Sequence, residues 1–270
     1  FQQQSQETIF QYAFGGLTGH TVQKQLLCCT FFFLDHKQRS DGAEVLRYFY
    51  YFSQTTKTHT MRILCVGDSI TAGYTGSTAG IDGGRFFPYA NYLAPLLTSL
   101  LTSHMNYGGL IAVDQIGVSS ATAKMMRDGL AQYDAIQKKN VPTLYHQLET
   151  SGGPYNLVII MAGTNDLGED RDVSGCLQDI MFLHRHCHKR GIKTITLPVP
   201  DNSFNNTPGA HVKRAGRESY RERWLRLNTE LRTWAMQNAI MTTYTRPLGS
   251  WDPVKWASDG LHLSEYGSRF

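Results

Sequence analysis

The sequence predicts an α/β protein that is built around a mostly parallel sheet. Short apolar segments rich in β-branched residues alternate with longer segments of helical composition from Met61 onward. Two of the short segments, 63–66 and 157–161, are apolar throughout, which is typical of strands buried on both faces of a sheet. Consecutive parallel strands need helical crossovers between them, and the alternation supplies these crossovers.

The predicted elements follow one another in the order that such a sheet requires. The first strand, 63–66, is followed by a glycine-rich loop at 73–84 and by a helix at about 87–102. The later elements are a strand at 110–116, a helix at about 121–138, a strand at 157–161, a helix at about 173–190, a strand at 192–197, an amphipathic helix at about 214–238 and a fifth strand at 240–244. The chain ends at Phe270, where a closing helix would be expected, so we predict that this helix is missing.

The first sixty residues have a different composition. A glutamine-rich opening and two aromatic tracts, 31–33 and 48–52, show no sustained helical or strand period. We therefore expect residues 1–60 to form an extension outside the domain, and residues 61–270 to form the domain itself. The apolar segment 26–34 is too short to span a bilayer and is not followed by a small-residue cleavage site. Without a convincing signal peptide, we expect a cytoplasmic location and no transmembrane segment.

The composition is that of a soluble globular protein. Of the 270 residues, 41% are hydrophobic and 18% are charged, and the formal net charge is +4. The basic residues between Lys213 and Arg232 are interleaved with glutamates, which indicates a solvated helix face and not a nucleic-acid-binding surface. Five cysteines without a repeating spacing do not predict a disulfide framework. We therefore expect no nucleic-acid partner, and no feature predicts a specific protein partner.

A candidate nucleophile lies where the first strand ends. The apolar segment 63–66 runs directly into Gly67, Asp68 and Ser69, and a glycine permits a sharp exit from a strand. The turn would place the Ser69 hydroxyl at the carboxyl end of the strand, where open α/β sheets bind their ligands. A serine there can act as a nucleophile if a base is within reach, although an Asp-Ser pair is also a common helix cap.

A candidate base and its orienting carboxylate lie near the end of the chain, at His262 and Asp259. A serine hydroxyl needs an imidazole to accept its proton, and the imidazole needs a carboxylate that fixes its tautomer. A separation of three residues lets Asp259 fold back onto His262, so that one loop supplies both groups. Asp-x-x-His alone is also common at helix N-termini, but its combination with Ser69 favours the catalytic interpretation.

Two further strand ends carry groups that could stabilise an oxyanion. The third strand leads to Gly163, Asn165 and Asp166; Asn165 can offer a side-chain N–H, and Gly163 allows its loop to approach closely. The second strand leads to Gly117, whose backbone N–H is a candidate donor together with that of Ser69. Each of these segments alone would be an ordinary turn.

The four strand-end motifs, taken in order, resemble those of the SGNH hydrolases, also called the GDSL lipase/esterase family. The matching motifs are Gly67-Asp68-Ser69, Gly117, Gly163-x-Asn165-Asp166 and Asp259-x-x-His262. The resemblance covers roughly residues 61–270 and departs from the family at Gln115, where many members have asparagine. It implies a flavodoxin-like three-layer α/β/α sandwich with a mostly parallel five-stranded sheet. It also implies hydrolysis of carboxylic esters without a metal or a cofactor.

The resemblance implies a role for each matched residue. Ser69 would be the nucleophile, His262 the base and Asp259 the residue that orients it. The backbone N–H groups of Ser69 and Gly117 and the side chain of Asn165 would form the oxyanion hole. The supporting residues would be Asp68, Gly163 and Asp166.

Two alternatives to a serine esterase remain open. An acyltransferase on the same fold would pass the acyl group to an alcohol in place of water. A non-catalytic binding module would keep the motifs without the chemistry. The sequence does not fix the substrate, which could be a small-molecule, carbohydrate or lipid ester.

Two other patterns are weaker. His184, His186 and His188 resemble a metal-binding cluster, but only the first and last share a helix face, and we expect a solvated, basic helix end. The glycines between Gly76 and Gly84 lack the Gly-Lys-Ser/Thr of a phosphate-binding loop. We therefore predict neither a metal nor a nucleotide, and expect the glycine-rich loop to form a wall of the substrate cleft.

Overall fold

The computed structural model describes residues 60–76, 85–105, 107–129, 132–151, 154–202, 218–245 and 254–269. The strands are β1 (Met61–Gly67), β2 (Ile111–Gly117), β3 (Gln132–Asp134), β4 (Lys139–Val141), β5 (Leu157–Met161), β6 (Lys193–Leu197) and β7 (Thr242–Tyr244). The helices are α1 (Ser69–Ala72), α2 (Ala90–Met105), α3 (Ala123–Asp128), α4 (Leu144–Thr150), α5 (Thr164–Gly168), α6 (Val173–His188) and α7 (Tyr220–Gln237), and a 3₁₀ turn spans Gly267–Arg269. The predicted extension lies outside the described residues except for Thr60, as does most of the glycine-rich loop.

Five strands form one parallel sheet in the order β2–β1–β5–β6–β7, which confirms the predicted parallel sheet. Without the short β3–β4 hairpin, this is the flavodoxin-like strand order 2-1-3-4-5. The chain passes from β1 outward to β2 and then crosses back to β5, so the direction of winding reverses beside β1. Open α/β sheets bind ligands at the carboxyl ends of the strands where this reversal occurs. A site is therefore expected at the end of β1.

The sheet is covered by helices on both faces. The side chains of Leu64 and Val66 belong to the core that α3, α6 and α7 share. Those of Ile63 and Cys65 pack in a second core with α2. Alternate residues of β1 thus enter opposite cores, which explains why the strand is apolar throughout. The three-layer α/β/α architecture is confirmed.

The predicted helix at 121–138 is confirmed only over Ala123–Asp128 and is wrong after that. Helix α3 already ends at Asp128, because Gly129 adopts a left-handed conformation with a φ of 66° and terminates it. The chain then forms an antiparallel hairpin of β3 and β4, in which Gln132 pairs with Val141. Helix α4, which leads to β5, has no counterpart in the prediction.

The remaining elements agree with the prediction apart from shifts at their ends. Helix α2 begins and ends later than predicted, and β6 and β7 are slightly shorter. Helix α7 begins at Tyr220, because Ser219 and Glu222 form a capping box around its first turn. The predicted start near residue 214 lies outside the described residues. Among the described helices, none combines the length and the hydropathy that a membrane crossing requires.

Candidate active site

The turn after β1 presents Ser69 at the carboxyl edge of the sheet. Asp68 has an extended backbone conformation and caps α1, its Oδ1 accepting the N–H of Ile70 at 2.9 Å. Ser69 is the first residue of α1 and is only 7% exposed. The Asp-Ser pair therefore caps a helix and also places the Ser69 hydroxyl at the end of β1. The helix-cap and nucleophile interpretations do not exclude each other.

Ser69 and His262 lie in contact although 193 positions separate them in the chain. The Oγ of Ser69 is 2.8 Å from Nε2 of His262. On the other side of the ring, Nδ1–H of His262 donates to Oδ2 of Asp259 at 2.7 Å. A proton fixed on Nδ1 leaves Nε2 free to accept the proton of the serine hydroxyl. The structure thus brings the three residues with predicted catalytic roles into one hydrogen-bonded series.

Backbone N–H groups hold Asp259 in its ionised form. Its Oδ1 accepts the N–H groups of Leu261 and His262 at 2.9 and 3.0 Å. Partial burial opposes ionisation, but the hydrogen bonds from the His262 ring and from these N–H groups lower the pKa of Asp259 to about 2. At neutral pH the residue is a carboxylate that can stabilise a positively charged imidazole.

The loop that carries Asp259 and His262 is braced on two sides. Trp256 and Leu263 form an antiparallel bridge across the loop, and both are buried in the core that contains α2. The ring of Tyr74 packs edge-on against that of His262, with 4.9 Å between the ring centroids. Packing and the carboxylate therefore both restrict the orientation of the imidazole.

The segment after β5 is tied to the loop that follows β2. Gly163 has a φ of 112°, which favours glycine. Nδ2 of Asn165 donates to the carbonyl of Ala121 at 2.9 Å. A side-chain amide has two N–H groups, so the second can still donate to a ligand. Asp166 accepts the N–H of Ala123 at 2.8 Å and thereby joins α5 to the first turn of α3.

The N–H of Gly117, a predicted oxyanion donor, is already hydrogen bonded. It donates to Oε1 of Gln115 at 2.8 Å. A Cβ atom on Gly117 would lie 2.1 Å from the backbone nitrogen of Ala72, so the strand end can approach α1 this closely only because the residue is glycine. Gly117 thus packs β2 against the helix that carries the nucleophile. Its role as a donor stays a prediction, and it requires that Gln115 move.

Burial changes the protonation of the two supporting carboxyls. Asp68 is completely buried, which raises its pKa to about 6. Burial also raises the pKa of Asp166, although Arg171 forms an ion pair with it. Both carboxyls accept backbone N–H groups at the start of a helix, so they support the loops around the Ser69 turn.

Three residues near the site were not predicted from the sequence: Ser120 in the loop after β2, and Asp134 and Gln137 in the hairpin. Ser120 has a φ of 61°, a left-handed conformation that is uncommon outside glycine and that clusters at functional sites. Oδ2 of Asp134 accepts the N–H of Ser119 at 2.7 Å, and Nε2 of Gln137 donates to the carbonyl of Gly117 at 2.7 Å. These contacts could not be predicted from the sequence, because the segment 121–138 has the composition of a helix and gives no indication of a hairpin.

One of the three histidines of α6 lies in the core. His184 is completely buried, and its Nδ1 lies 2.8 Å from Oγ1 of Thr194. Burial lowers the pKa of His184 to about 3, so the expectation of a solvated helix end is wrong for this residue. In the part of the chain that the structure describes, no group of three or more His, Cys, Asp and Glu side chains could hold a metal ion.

Residues 65–270 match the GDSL-like lipase/acylhydrolase family. Among solved structures, the chain resembles a family 3 carbohydrate esterase from Clostridium thermocellum, with 20% identity, a TM-score of 0.51, and coverage of 78% of this chain and 90% of that one. A carbohydrate acetylesterase family member from Sinorhizobium meliloti matches with 18% identity and a TM-score of 0.47, over 77% and 92% of the two chains. A GDSL-like lipase from Bacteroides thetaiotaomicron matches with 17% identity and a TM-score of 0.42, over 82% and 92%. At 20% identity, the likeness to the Clostridium thermocellum esterase shows the fold alone.

No curated protein matches the chain. The family match, however, covers most of it and includes Ser69, the segments after β2 and β5, and the loop with Asp259 and His262. The resemblance seen in the sequence is therefore confirmed, and the chain belongs to the GDSL-like lipase/acylhydrolase family.

Proposed function

We propose that the protein is a serine esterase that hydrolyses carboxylic esters through an acyl-enzyme. The Oγ of Ser69 attacks the acyl carbonyl while Nε2 of His262 takes the hydroxyl proton, and Asp259 stabilises the resulting imidazolium. His262 then gives this proton to the leaving alkoxide as the ester C–O bond breaks. Water, deprotonated by the same imidazole, then attacks the acyl carbon. The bond between this carbon and Oγ of Ser69 breaks, His262 returns the proton to Oγ, and the carboxylic acid is released.

One observation carries this proposal: the contact of Ser69 with His262 at 2.8 Å, continued to Asp259 at 2.7 Å. A hydroxyl, an imidazole and an ionised carboxylate joined in this order can perform each proton transfer of ester hydrolysis. Membership of an acylhydrolase family supports the same reaction. The substrate that we propose is a small-molecule, carbohydrate or lipid ester.

The oxyanion of the tetrahedral intermediate needs donors that are fixed before the reaction. We assign this role to the N–H of Ser69, to the free amide N–H of Asn165 and to one N–H of the loop after β2. In that loop the N–H of Gly117 is held by Gln115 at 2.8 Å. The N–H groups of Val118 and Ser119 are also held, by the carbonyl of Gly67 and by Asp134. The N–H of Ser120, three residues after Gly117, is therefore the better candidate for the third donor.

The position of Ser120 along the sheet supports this assignment. The N–H of Val118 bonds to the carbonyl of Gly67 at 3.0 Å, so the residues after Val118 lie level with the turn that follows β1. Ser120 also precedes Ala121, whose carbonyl accepts the amide of Asn165 at 2.9 Å. The hydrogen bond between the side chain of Asn165 and the carbonyl of Ala121 therefore links two of the assigned donors, the amide of Asn165 and the N–H of Ser120.

Labelling with an alkyl phosphonofluoridate tests the proposed nucleophile. This reagent reacts with a serine only where a base and oxyanion donors activate it, so we expect one adduct per chain, on Ser69. Peptide mass spectrometry locates the adduct, and an excess of a hydrolysable ester should slow its formation. A protein that takes no label, or takes it on another serine, contradicts the proposal.

The variant Gln115→Leu distinguishes the two candidate donors in the loop. It removes the Oε1 atom that holds the N–H of Gly117. If Ser120 is the donor, kcat/KM for p-nitrophenyl acetate should not rise, and should fall by about 10-fold or less because the loop loses one tie. A rise above wild type would return the donor role to Gly117. Gln178→Leu, the same change at an exposed position on α6, serves as the matched control.

A further inference from the structure

The β3–β4 hairpin touches the loop 117–120 through the side chain of Asp134. This residue ends β3 and is only 1% exposed. Its Oδ1 accepts the N–H groups of Ile136 and Gln137 at 2.9 and 2.8 Å, which closes the hairpin turn. Its Oδ2 accepts the N–H of Ser119 at 2.7 Å. One carboxylate therefore joins the hairpin turn to the loop.

Gln137 adds a second tie from the hairpin to the same loop. Its Nε2 donates to the carbonyl of Gly117 at 2.7 Å and to Oδ2 of Asp134 at 2.6 Å. From the strand side, Oε1 of Gln115 accepts the N–H of Gly117 at 2.8 Å. Both backbone polar groups of Gly117 and the N–H of Ser119 are thus held by side chains.

These ties hold the residues directly before Ser120, whose backbone is left-handed. A left-handed conformation, here with a φ of 61°, is unfavourable for a residue with a side chain and persists only where the surroundings over-determine it. The acceptor for Ser119 is a charged one: burial opposes ionisation, but the hydrogen bonds from Ser119 and Gln137 lower the pKa of Asp134. Hydrogen bonds to an ionised acceptor are stronger than neutral ones, so this tie restricts the loop firmly.

We propose that Asp134 is a positioning residue that holds the loop 117–120 so that one of its backbone N–H groups faces the oxyanion of the reacting ester. The inference rests on the proposed esterase function. Asp134 acts through Ser119 and does not touch the reacting atoms. Because the oxyanion forms only during the reaction, a displaced donor weakens binding of the transition state and leaves binding of the ester unchanged. A displacement of about 1 Å can cost about 10²-fold in rate.

The variant Asp134→Asn tests the proposal. Its amide NH₂ must face either the N–H of Ser119 or the N–H groups of the turn, so one set of hydrogen bonds is lost while the side-chain shape is kept. We expect kcat/KM for p-nitrophenyl acetate to fall by about 10²-fold. The affinity for an alkylboronic acid, which forms a tetrahedral adduct with Ser69, should fall by the same factor. Inhibition by p-nitroacetanilide, the unreactive amide analogue, should not change.

Active sites are counted by the final stoichiometry of phosphonofluoridate labelling, so a partly unfolded sample does not lower the apparent rate. Asp128→Asn makes the same chemical change on the exposed side of α3 and should behave as wild type. Gln137→Leu removes the tie to Gly117 and should lower kcat/KM by about 10-fold.

The outcomes separate this inference from the proposed function. If Asp134→Asn keeps the wild-type kcat/KM and boronic acid affinity, Asp134 does not position the loop, while the esterase function stands. If Asp134→Asn does not fold, Gln137→Leu provides the test instead, and a wild-type kcat/KM in that variant overturns the inference. If the wild-type protein neither hydrolyses the ester nor takes the label, the esterase function fails, and the inference fails with it.

Discussion

Replacing Ser69 by alanine is expected to lower kcat for p-nitrophenyl acetate by about 10⁴- to 10⁶-fold. The variant lacks the Oγ atom that lies 2.8 Å from Nε2 of His262, so no acyl-enzyme can form. The activity that remains would come from the oxyanion donors and from binding alone. Turnover and the initial burst of p-nitrophenolate measure the loss, and the variant should also take no phosphonofluoridate label.

The control for this variant is Ser99→Ala, which makes the same change on the exposed side of α2 and should leave turnover at the wild-type level. A series of p-nitrophenyl esters from acetate to decanoate then relates the wild-type activity to acyl chain length. If Ser69→Ala retains the wild-type turnover, another group carries the reaction. If neither protein hydrolyses any ester of the series, the binding-module alternative gains support.

The sheet could be predicted from the sequence because its central strands are buried on both faces. Such strands appear as unbroken apolar segments, and 63–66 and 157–161 are of this kind. The β3–β4 hairpin could not be predicted in the same way. Its strands have three residues each and no apolar run, and its turn is closed by the buried carboxylate of Asp134. A contact between distant residues, and not a local pattern, determines this part of the fold.

The residues of the candidate triad could be predicted because their chemistry restricts their types and places them at strand ends and in one loop. For Gly117 the residue type restricts the role less. A glycine beside an active site can offer its N–H to a ligand, or it can allow two backbones to approach. The close approach to Ala72 is a tertiary contact, which no spacing in the sequence reveals. The bond to Gln115 is local, but it depends on the rotamer of the glutamine side chain, which the sequence does not give either. The left-handed conformation of Ser120 could not be predicted either, because serine has no preference for this conformation.

Replacing Asp259 by asparagine is expected to lower kcat/KM by about 10⁴-fold while changing the shape of the site very little. The amide oxygen can still accept the N–H groups of Leu261 and His262, which now bond to Oδ1 at 2.9 and 3.0 Å. The amide nitrogen would then donate to Nδ1 of His262, and the ring hydrogen would move to Nε2. In that tautomer His262 cannot accept the proton of Ser69. Nitrogen-15 NMR of the ring measures which nitrogen is protonated in the wild type and in the variant.

The pH dependence of stability separates this tautomer effect from a general loss of the fold. Because the pKa of Asp259 is about 2 in the folded protein against an ordinary value of 3.8, the ionised side chain stabilises the folded state above about pH 4, and this contribution is lost as the pH falls towards 2. Asparagine does not titrate, so the part of the difference in unfolding free energy between wild type and variant that comes from the ionised Asp259 should shrink below about pH 4. The loss of activity, in contrast, should persist at neutral pH, where both proteins are folded.

If Asp259→Asn keeps its activity within about 10-fold of wild type and still labels at Ser69, the carboxylate does not set the tautomer. Packing against Tyr74 and within the loop would then be enough to orient His262.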